Sequence, residues 1–249
     1  MSSLVLKNFA LSHPGGRHIN EDAWARDSRD KTYYCFTVAD GLGGHGGGDV
    51  ASKLAVESVV ASFRERPFLT RSDLERHILL AHEAIERRKS EEPVLAGMHT
   101  TLVVLVSDSE QALWAHVGDS RLYQFRDGRC VRRTRDHSVP QVMADAGDIS
   151  ESAIRGHEDR SRLLRSLGDE GPPRVESVAE PCRLLAGDCF LMCTDGFWEY
   201  VLETEMEADL AKSQGPDEWL QLMTIDRLLR RAPPGHDNFT ALAVFVQGG

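Results

Sequence analysis

Uninterrupted apolar runs alternate along this chain with segments of helical periodicity, and the two rhythms predict its elements. Residues 5–11 are apolar-rich, and Tyr33–Ala39 (YYCFTVA) is a near-continuous apolar run that suits a buried strand. A glycine-rich turn spans residues 41–48. Residues 49–64 then carry Val50, Leu54, Val56, Val59, Val60 and Phe63 as one broad stripe of a helix. A second helix is expected over residues 73–91, where Leu74, Ile78, Ala81 and Ile85 keep helical spacing; Ser72, followed three residues later by Glu75, reads as its capping box. Strand signals resume at residues 100–106 (TTLVVLV), 112–117 (ALWAHV) and 122–125, the last followed by Asp127-Gly128, a hairpin turn pair. Residues 139–146 suit a short helix. Residues 148–173 are polar and charged with no sustained period, a length of irregular chain that marks a functional loop or lid. Residues 174–179 and 189–193 read as strands, residues 203–231 as two helical segments broken near Gly215-Pro216, and residues 239–246 (FTALAVFV) as a final strand. This order is not a regular strand–helix alternation. It favours an α+β architecture of mostly antiparallel sheets with helices packed outside. With no repeat, low-complexity tract or linker, one domain over residues 1–249 is the simplest organisation.

The polar positions that punctuate these runs are unusually acidic. Asp40 ends YYCFTVAD, Asp119 follows WAHVG, Asp195 follows CFLMCT, Asp237 precedes FTALAVFV, and Glu21-Asp22 precede the short strand candidate at residues 23–25. Taken singly, an Asp-Gly pair is a turn signal, and polar residues belong at strand ends. Two features go beyond that. Asp40-Gly41 is followed by five further glycines before residue 49, more than a turn needs, and Asp195-Gly196 leads into helix-like Phe197-Trp198-Glu199-Tyr200, so it is no hairpin. Several aspartates converging at one end of a sheet would repel unless cations lay between them. Oxygen ligands select hard ions such as Mg²⁺ and Mn²⁺. A pair of such ions can support in-line phosphoryl displacement. Gly41 would let a backbone carbonyl approach an ion closely.

Composition narrows the partners. A hydrophobic content of 41% supports a real core, and the formal net charge of −10 argues against nucleic acid and anionic membrane surfaces. It does not exclude a phosphate substrate when metal ions supply local positive charge. The five cysteines (Cys35, Cys130, Cys182, Cys189, Cys193) form no CxxC pair, so reduced, mostly buried thiols are expected. No targeting segment or membrane-length apolar stretch is seen, and a cytoplasmic, soluble protein is expected.

Five segments taken in order resemble the motifs of the metal-dependent protein phosphatases (the PPM family, type 2C): residues 17–22 (RHINED), 38–45 (VADGLGGH), 117–121 (VGDSR), 194–198 (TDGFW) and 235–240 (GHDNFT). They run from Arg17 to Thr240, nearly the whole chain. Residues 134–138 (TRDHS) and 98–104 are similar to the bacterial branch of that family. The resemblance implies a central β-sandwich of two antiparallel sheets flanked by helices, in four αββα layers, with a mobile flap placed at about residues 148–173. It implies that Asp22 and Asp40 contact two core Mn²⁺ or Mg²⁺ ions, with Asp40 bridging them. The Gly41 carbonyl would bind one ion, and Asp195 and Asp237 would complete the other site. Glu21 would act through a metal-bound water, Arg17 would bind the substrate phosphate as a bidentate donor, and Asp119 would hold a third ion with Asp195. The activity implied is hydrolysis of phosphoserine and phosphothreonine in proteins by a metal-activated water, opposing a Ser/Thr kinase of the bacterial type, in a chain expected to be monomeric. Residues 194–201 (TDGFWEYV) resemble stand-alone phosphatases found with type VI secretion kinases. Leu42 departs from the animal members, which carry a proposed general-acid His there. His45 is the alternative His, and His99 stands where some relatives have Gly.

Three rival readings are weaker. Residues 41–46 fit G-x-G-x-x-G after a strand and before a helix, but a second helix follows rather than a second parallel strand ending in an acid. A phosphatase-like binding module would have lost metal ligands, and all four core carboxylates are present. A two-ion nuclease would need a basic stretch that the chain lacks.

Overall fold

A computed structural model describes residues 4–43 and 46–248. Gly44 and His45 lie outside the described residues, and with them the expectation for His45. The elements run β1 (Leu4–His13), β2 (Ala23–Arg29), β3 (Tyr33–Ala39), β4 (Gly41–Leu42), α1 (Gly48–Glu65), α2 (Arg71–Glu91), β5 (His99–Thr100), β6 (Leu102–Ser107), β7 (Gln111–Val117), β8 (Arg121–Arg126), β9 (Arg129–Arg133) and α3 (Val139–Ala146). After it come β10 (Glu176–Ser177), β11 (Cys182–Arg183), β12 (Cys189–Cys193), α4 (Asp195–Trp198), α5 (Glu203–Leu210), α6 (Pro216–Met223) and β13 (Phe239–Gly248).

Two antiparallel sheets form the centre. One has the order β1-β13-β12-β8-β9; the other has the order β10-β7-β6-β3-β2, with β11 also on β7. The apolar runs form buried strands because both faces of each sheet are covered. Alternate residues of β3 and β6 (Phe36 and Val38, Val103 and Leu105) meet Phe190, Met192, Leu242 and Val244 of the facing sheet. The other alternates (Cys35, Val104, Val106) meet Val56, Val59, Phe63, Leu74, Ile78 and Ile85 of α1 and α2. On the far side, Tyr123, Phe125, Leu191 and Ala243 pack on Phe197, Trp198, Met206 and Trp219 of α4–α6. These three cores are the seams of a four-layer αββα sandwich, the α+β architecture expected. Each large apolar side chain withdrawn from water there contributes about 1.5–3 kcal/mol.

Some local expectations need correction. The cap of α2 is Thr70, whose hydroxyl accepts from Asp73 N at 3.1 Å. Ser72 is not the cap, and Glu75 is drawn instead to Arg71 and Ser177. The strand expected over residues 174–179 shrinks to Glu176–Ser177, which pair with His116 and Ala115 of β7; Val178 adds one bond, from its N to Trp114 O (3.2 Å). The cysteines are all free, four of them buried and Cys130 half-buried. His82, on α2, is buried and accepts from Gly168 N (3.1 Å), while His77 stacks on Phe68.

Candidate active site

Sheet register carries the acidic residues to one end of the sandwich. Ala23 pairs with Ala39, so Asp22 and Asp40 leave adjacent strand ends together. Cys193 pairs with Ala241 on one side and Arg121 on the other, so the residues beyond them gather at the same end: Asp195, Asp237 and the Gly118–Ser120 crossing from β7 to β8. An open cleft of about 420 Å³ results, lined by Arg17, Glu21, Asp40, Gly41, Asp119, Asp195 and Asp237, with Leu42 on its wall. Seven of the eight residues singled out from sequence thus share one pocket. Asp22 is the exception. It is buried beside Asp40 and Asp195 rather than lining the cleft; its Oδ2 accepts from Thr194 Oγ1 (2.8 Å), and its Oδ1 has no partner among the described residues.

The electrostatics of the cleft favour positive charge among its carboxylates. Burial, then the neighbouring carboxylates, push Asp40 and Asp119 well above the usual carboxylate range. Burial and Asp237 raise Asp195, and burial carries Asp22 up to about 7 against the Thr240 and Thr194 hydroxyls that lower it. Like charges held this close in a dry site favour proton or cation uptake. All-oxygen donors, an orphaned Asp22 oxygen and the closeness of the backbone at Gly41 fit a hard divalent ion. A Cβ on Gly41 would stand 2.1 Å from Gly48 O and 2.5 Å from Glu21 O, so no other residue fits there.

The surrounding loops fix this geometry. Glu21 is raised by burial and by Asp49 and Asp237, and it takes a backbone hydrogen bond from Gly48 at the start of α1. Its own carbonyl receives Gly41 N (3.1 Å) and Ser52 Oγ (2.6 Å). Arg17 is exposed, with NH2 3.0 Å from Asp237 Oδ2. Asn238 stands within the GHDNFT motif, which by itself assigns it no role. Its side chain accepts from Glu21 N (2.8 Å) and donates to Pro14 O and Ile19 O (2.9 Å each), tying the Arg17–Glu21 loop to Asp237. Nothing local in the sequence marks this tie. Ser161 and Leu163 also line the cleft, and the ends of their segment are pinned. Leu164 N donates to His137 O (2.8 Å), and Leu167 exchanges backbone bonds with Thr100 (2.8 and 3.0 Å). Arg160 Nε reaches Glu199 Oε1 at 2.7 Å. His236, beside Asp237 in the chain, has its Nδ1 2.8 Å from Pro233 O.

A second cluster, His116, His137 and Glu176, brings three potential ligand atoms within 4.8 Å of one another. It makes a poor metal site. Gly118 N donates to His137 Nδ1 (3.1 Å), which leaves the ring proton on Nε2, the atom that would have to face an ion. Arg165 is also 3.4 Å from that nitrogen. The cluster is structural: His137 N donates in turn to Gly118 O (3.0 Å), clamping the residue before Asp119.

Comparison with known proteins agrees with this geometry. A family model described as Protein phosphatase 2C matches residues 11–224. The chain is 33% identical over 235 residues to the serine/threonine phosphatase stp of Listeria welshimeri, covering 92% of this chain and 90% of that one. The catalytic domain of the serine/threonine protein phosphatase PstP, solved in complex with two manganese ions, superposes with a TM-score of 0.81 at 28% identity, covering 98% of this chain and 100% of that one. PppA, a regulatory component of the type VI secretion system in Pseudomonas aeruginosa, superposes with a TM-score of 0.75 at 28% identity over 99% of this chain and 100% of that one.

Proposed function

The chain belongs to the protein phosphatase 2C family and is a metal-dependent Ser/Thr protein phosphatase, and from that premise we propose the following division of labour in its cleft. Asp40, Asp195 and Asp237 would hold the core ions, with the Gly41 carbonyl as a further ligand. Asp22 offers its unpartnered Oδ1 from behind. Asp119, with Asp195, would hold a third ion. Manganese is the cofactor in a solved relative, and Mg²⁺ is the alternative the same oxygen donors accept. When bound, the ions neutralise the cage and supply an activated water for in-line attack on phosphorus, without a covalent enzyme intermediate.

The chain's own residues do the rest. Arg17 releases Asp237 and grips two phosphoryl oxygens, holding phosphorus in line for attack. Glu21, kept in place by the α1 N-terminus and Asn238, orients water by hydrogen bonding. Leu42 brings no acid to the leaving oxygen. The substrates are phosphorylated proteins, and an open cleft suits a phosphorylated side chain presented on a protein segment. The opposing enzyme is a bacterial-type Ser/Thr kinase, and the likeness to PppA supports a type VI secretion setting. A single 1–249 domain with residues 148–173 as its flap, acting as a monomer in the cytoplasm, completes the reading; no helix among the described residues is long and apolar enough to cross a membrane.

The observation that carries this reading is the gathering of Asp40, Asp119, Asp195 and Asp237 with Arg17 on one cleft. Phosphate release from p-nitrophenyl phosphate and from a phosphothreonine peptide, with Mn²⁺, Mg²⁺ or EDTA, tests it. EDTA should abolish turnover, and Asp40→Ala and Asp195→Ala should be inactive yet folded. Turnover in EDTA, or a near-normal rate in either variant, would remove the metal roles.

A further inference from the structure

The geometry points to Thr101 as a positioning residue that couples the Asp40 loop, at the two core ions, to the Asp119 loop, at the third. The inference rests on the metal reading of those carboxylates. Thr101 lies between β5 and β6 and is fully buried. Its backbone N donates to Asp40 O (2.9 Å), and its Oγ1 accepts from Asp40 N (2.9 Å), so both backbone groups of Asp40 are fixed by one residue. Thr100 Oγ1 adds a second donor to Asp40 O (2.8 Å).

The same Thr101 Oγ1 lies 2.7 Å from Ser120 Oγ, also fully buried, on the loop that carries Asp119. A hydroxyl has one proton and two lone pairs, so Thr101 can accept from Asp40 and still bond Ser120. The methyl side makes a second contact with that loop. Gly118 has φ +97°, and a Cβ on it would stand 2.6 Å from Thr101 Cγ2. One side chain therefore touches the backbone of Asp40 and both neighbours of Asp119. A neutral hydroxyl pair suits this task, because it joins two carboxylate loops without adding charge to a cage whose members already repel.

The test titrates Mn²⁺ by isothermal calorimetry into the wild type, Thr101→Val, Thr101→Ser, Ser120→Ala, Asp119→Asn, Asp40→Asn and the Ser120→Ala/Asp119→Asn double variant. Thermal unfolding in EDTA registers the fold of each. Thr101→Val keeps the bulk against Gly118 but loses the hydroxyl, and should weaken Mn²⁺ binding about 10- to 100-fold, the range typical of residues that orient metal ligands. Thr101→Ser, which keeps the hydroxyl, should return close to the wild type. Ser120→Ala cuts only the link, so it should weaken the same ion that Asp119→Asn removes and add nothing in the double variant. Wild-type affinity in Thr101→Val, or additive losses in the double variant, would overturn the coupling; should Thr101→Val fail to fold, the Ser120 cycle decides alone. Asp40→Asn and Asp119→Asn binding Mn²⁺ as the wild type does would instead overturn the metal reading, and the inference with it.

Discussion

Arg121 is fully buried beneath the candidate site, and its replacement by Met tests how that floor is held. The guanidinium donates to both oxygens of Asp136, Nε to Oδ1 at 2.8 Å and NH2 to Oδ2 at 2.7 Å, with each side chain only 1% exposed. NH1 also reaches Tyr123 OH (3.0 Å), and the plane lies 3.5 Å over Trp198, whose Nε1 donates to Asp119 O (3.0 Å). Arg121→Met keeps most of the volume but strands the Asp136 carboxylate without a cation. Removing one partner of a buried pair costs about 3–5 kcal/mol, because the remaining charge is left uncompensated. For a chain of this size each kcal/mol is about 2–4 °C in Tm, so the loss should be roughly 6–20 °C. Urea and thermal unfolding in EDTA measure this without a contribution from metal binding. The double variant Arg121→Met/Asp136→Ala removes the stranded charge and should be more stable than the single variant. A single-variant loss under about 1 kcal/mol, or a double variant no better than the single, would refute the view that charge compensation sets the cost.

Two further predictions concern pH. Burial, then His116 and Arg165, push His137 down to about 3 from 6.5, so it is neutral in the fold and must gain a proton on unfolding in acid. Its contribution is complete above pH 6.5 and is lost progressively as pH falls towards 3. His137→Asn, which keeps an acceptor for Gly118 N, should show a shallower acid limb in unfolding free energy; parallel limbs would exclude His137 as the source. The buried aspartates have the opposite sign. With Asp22 raised to about 7 and Asp40, Asp119 and Asp195 also raised, these four groups hold more protons in the metal-free fold than in the unfolded chain. Their contribution to stability should fall as pH rises from about 4 to 7, and Asp22→Asn should remove part of that fall. Mn²⁺ should reverse that trend, because protons then compete with the ion. Tm against pH in EDTA and in Mn²⁺ checks both slopes, and equal slopes would show that the cage binds no cation.

The chain's own pattern determined more of this protein than its individual residues suggest. Apolar continuity marks a strand covered on both faces, and 3.6-residue spacing marks a helix covered on one, so β3, β6, α1 and α2 were legible from covalent order alone. Part of the cleft was legible too: acids stand at strand mouths at Asp22, Asp40, Asp119, Asp195 and Asp237, and Asp40 and Asp195 are followed by glycine, whereas the role of Arg17 came only from the ordered motifs. What sequence could not supply is register. Whether Asp22 and Asp195 face one another depends on Ala23 pairing with Ala39 and Cys193 with Ala241, contacts made between segments distant in the chain. For the same reason, burial of Asp22 behind the cleft, the tie of Asn238 to Glu21 and the meeting of Thr101 with Ser120 carry no local mark. A hydrogen bond between loops costs the sequence nothing to omit and is decided only when packing brings the two strand ends together.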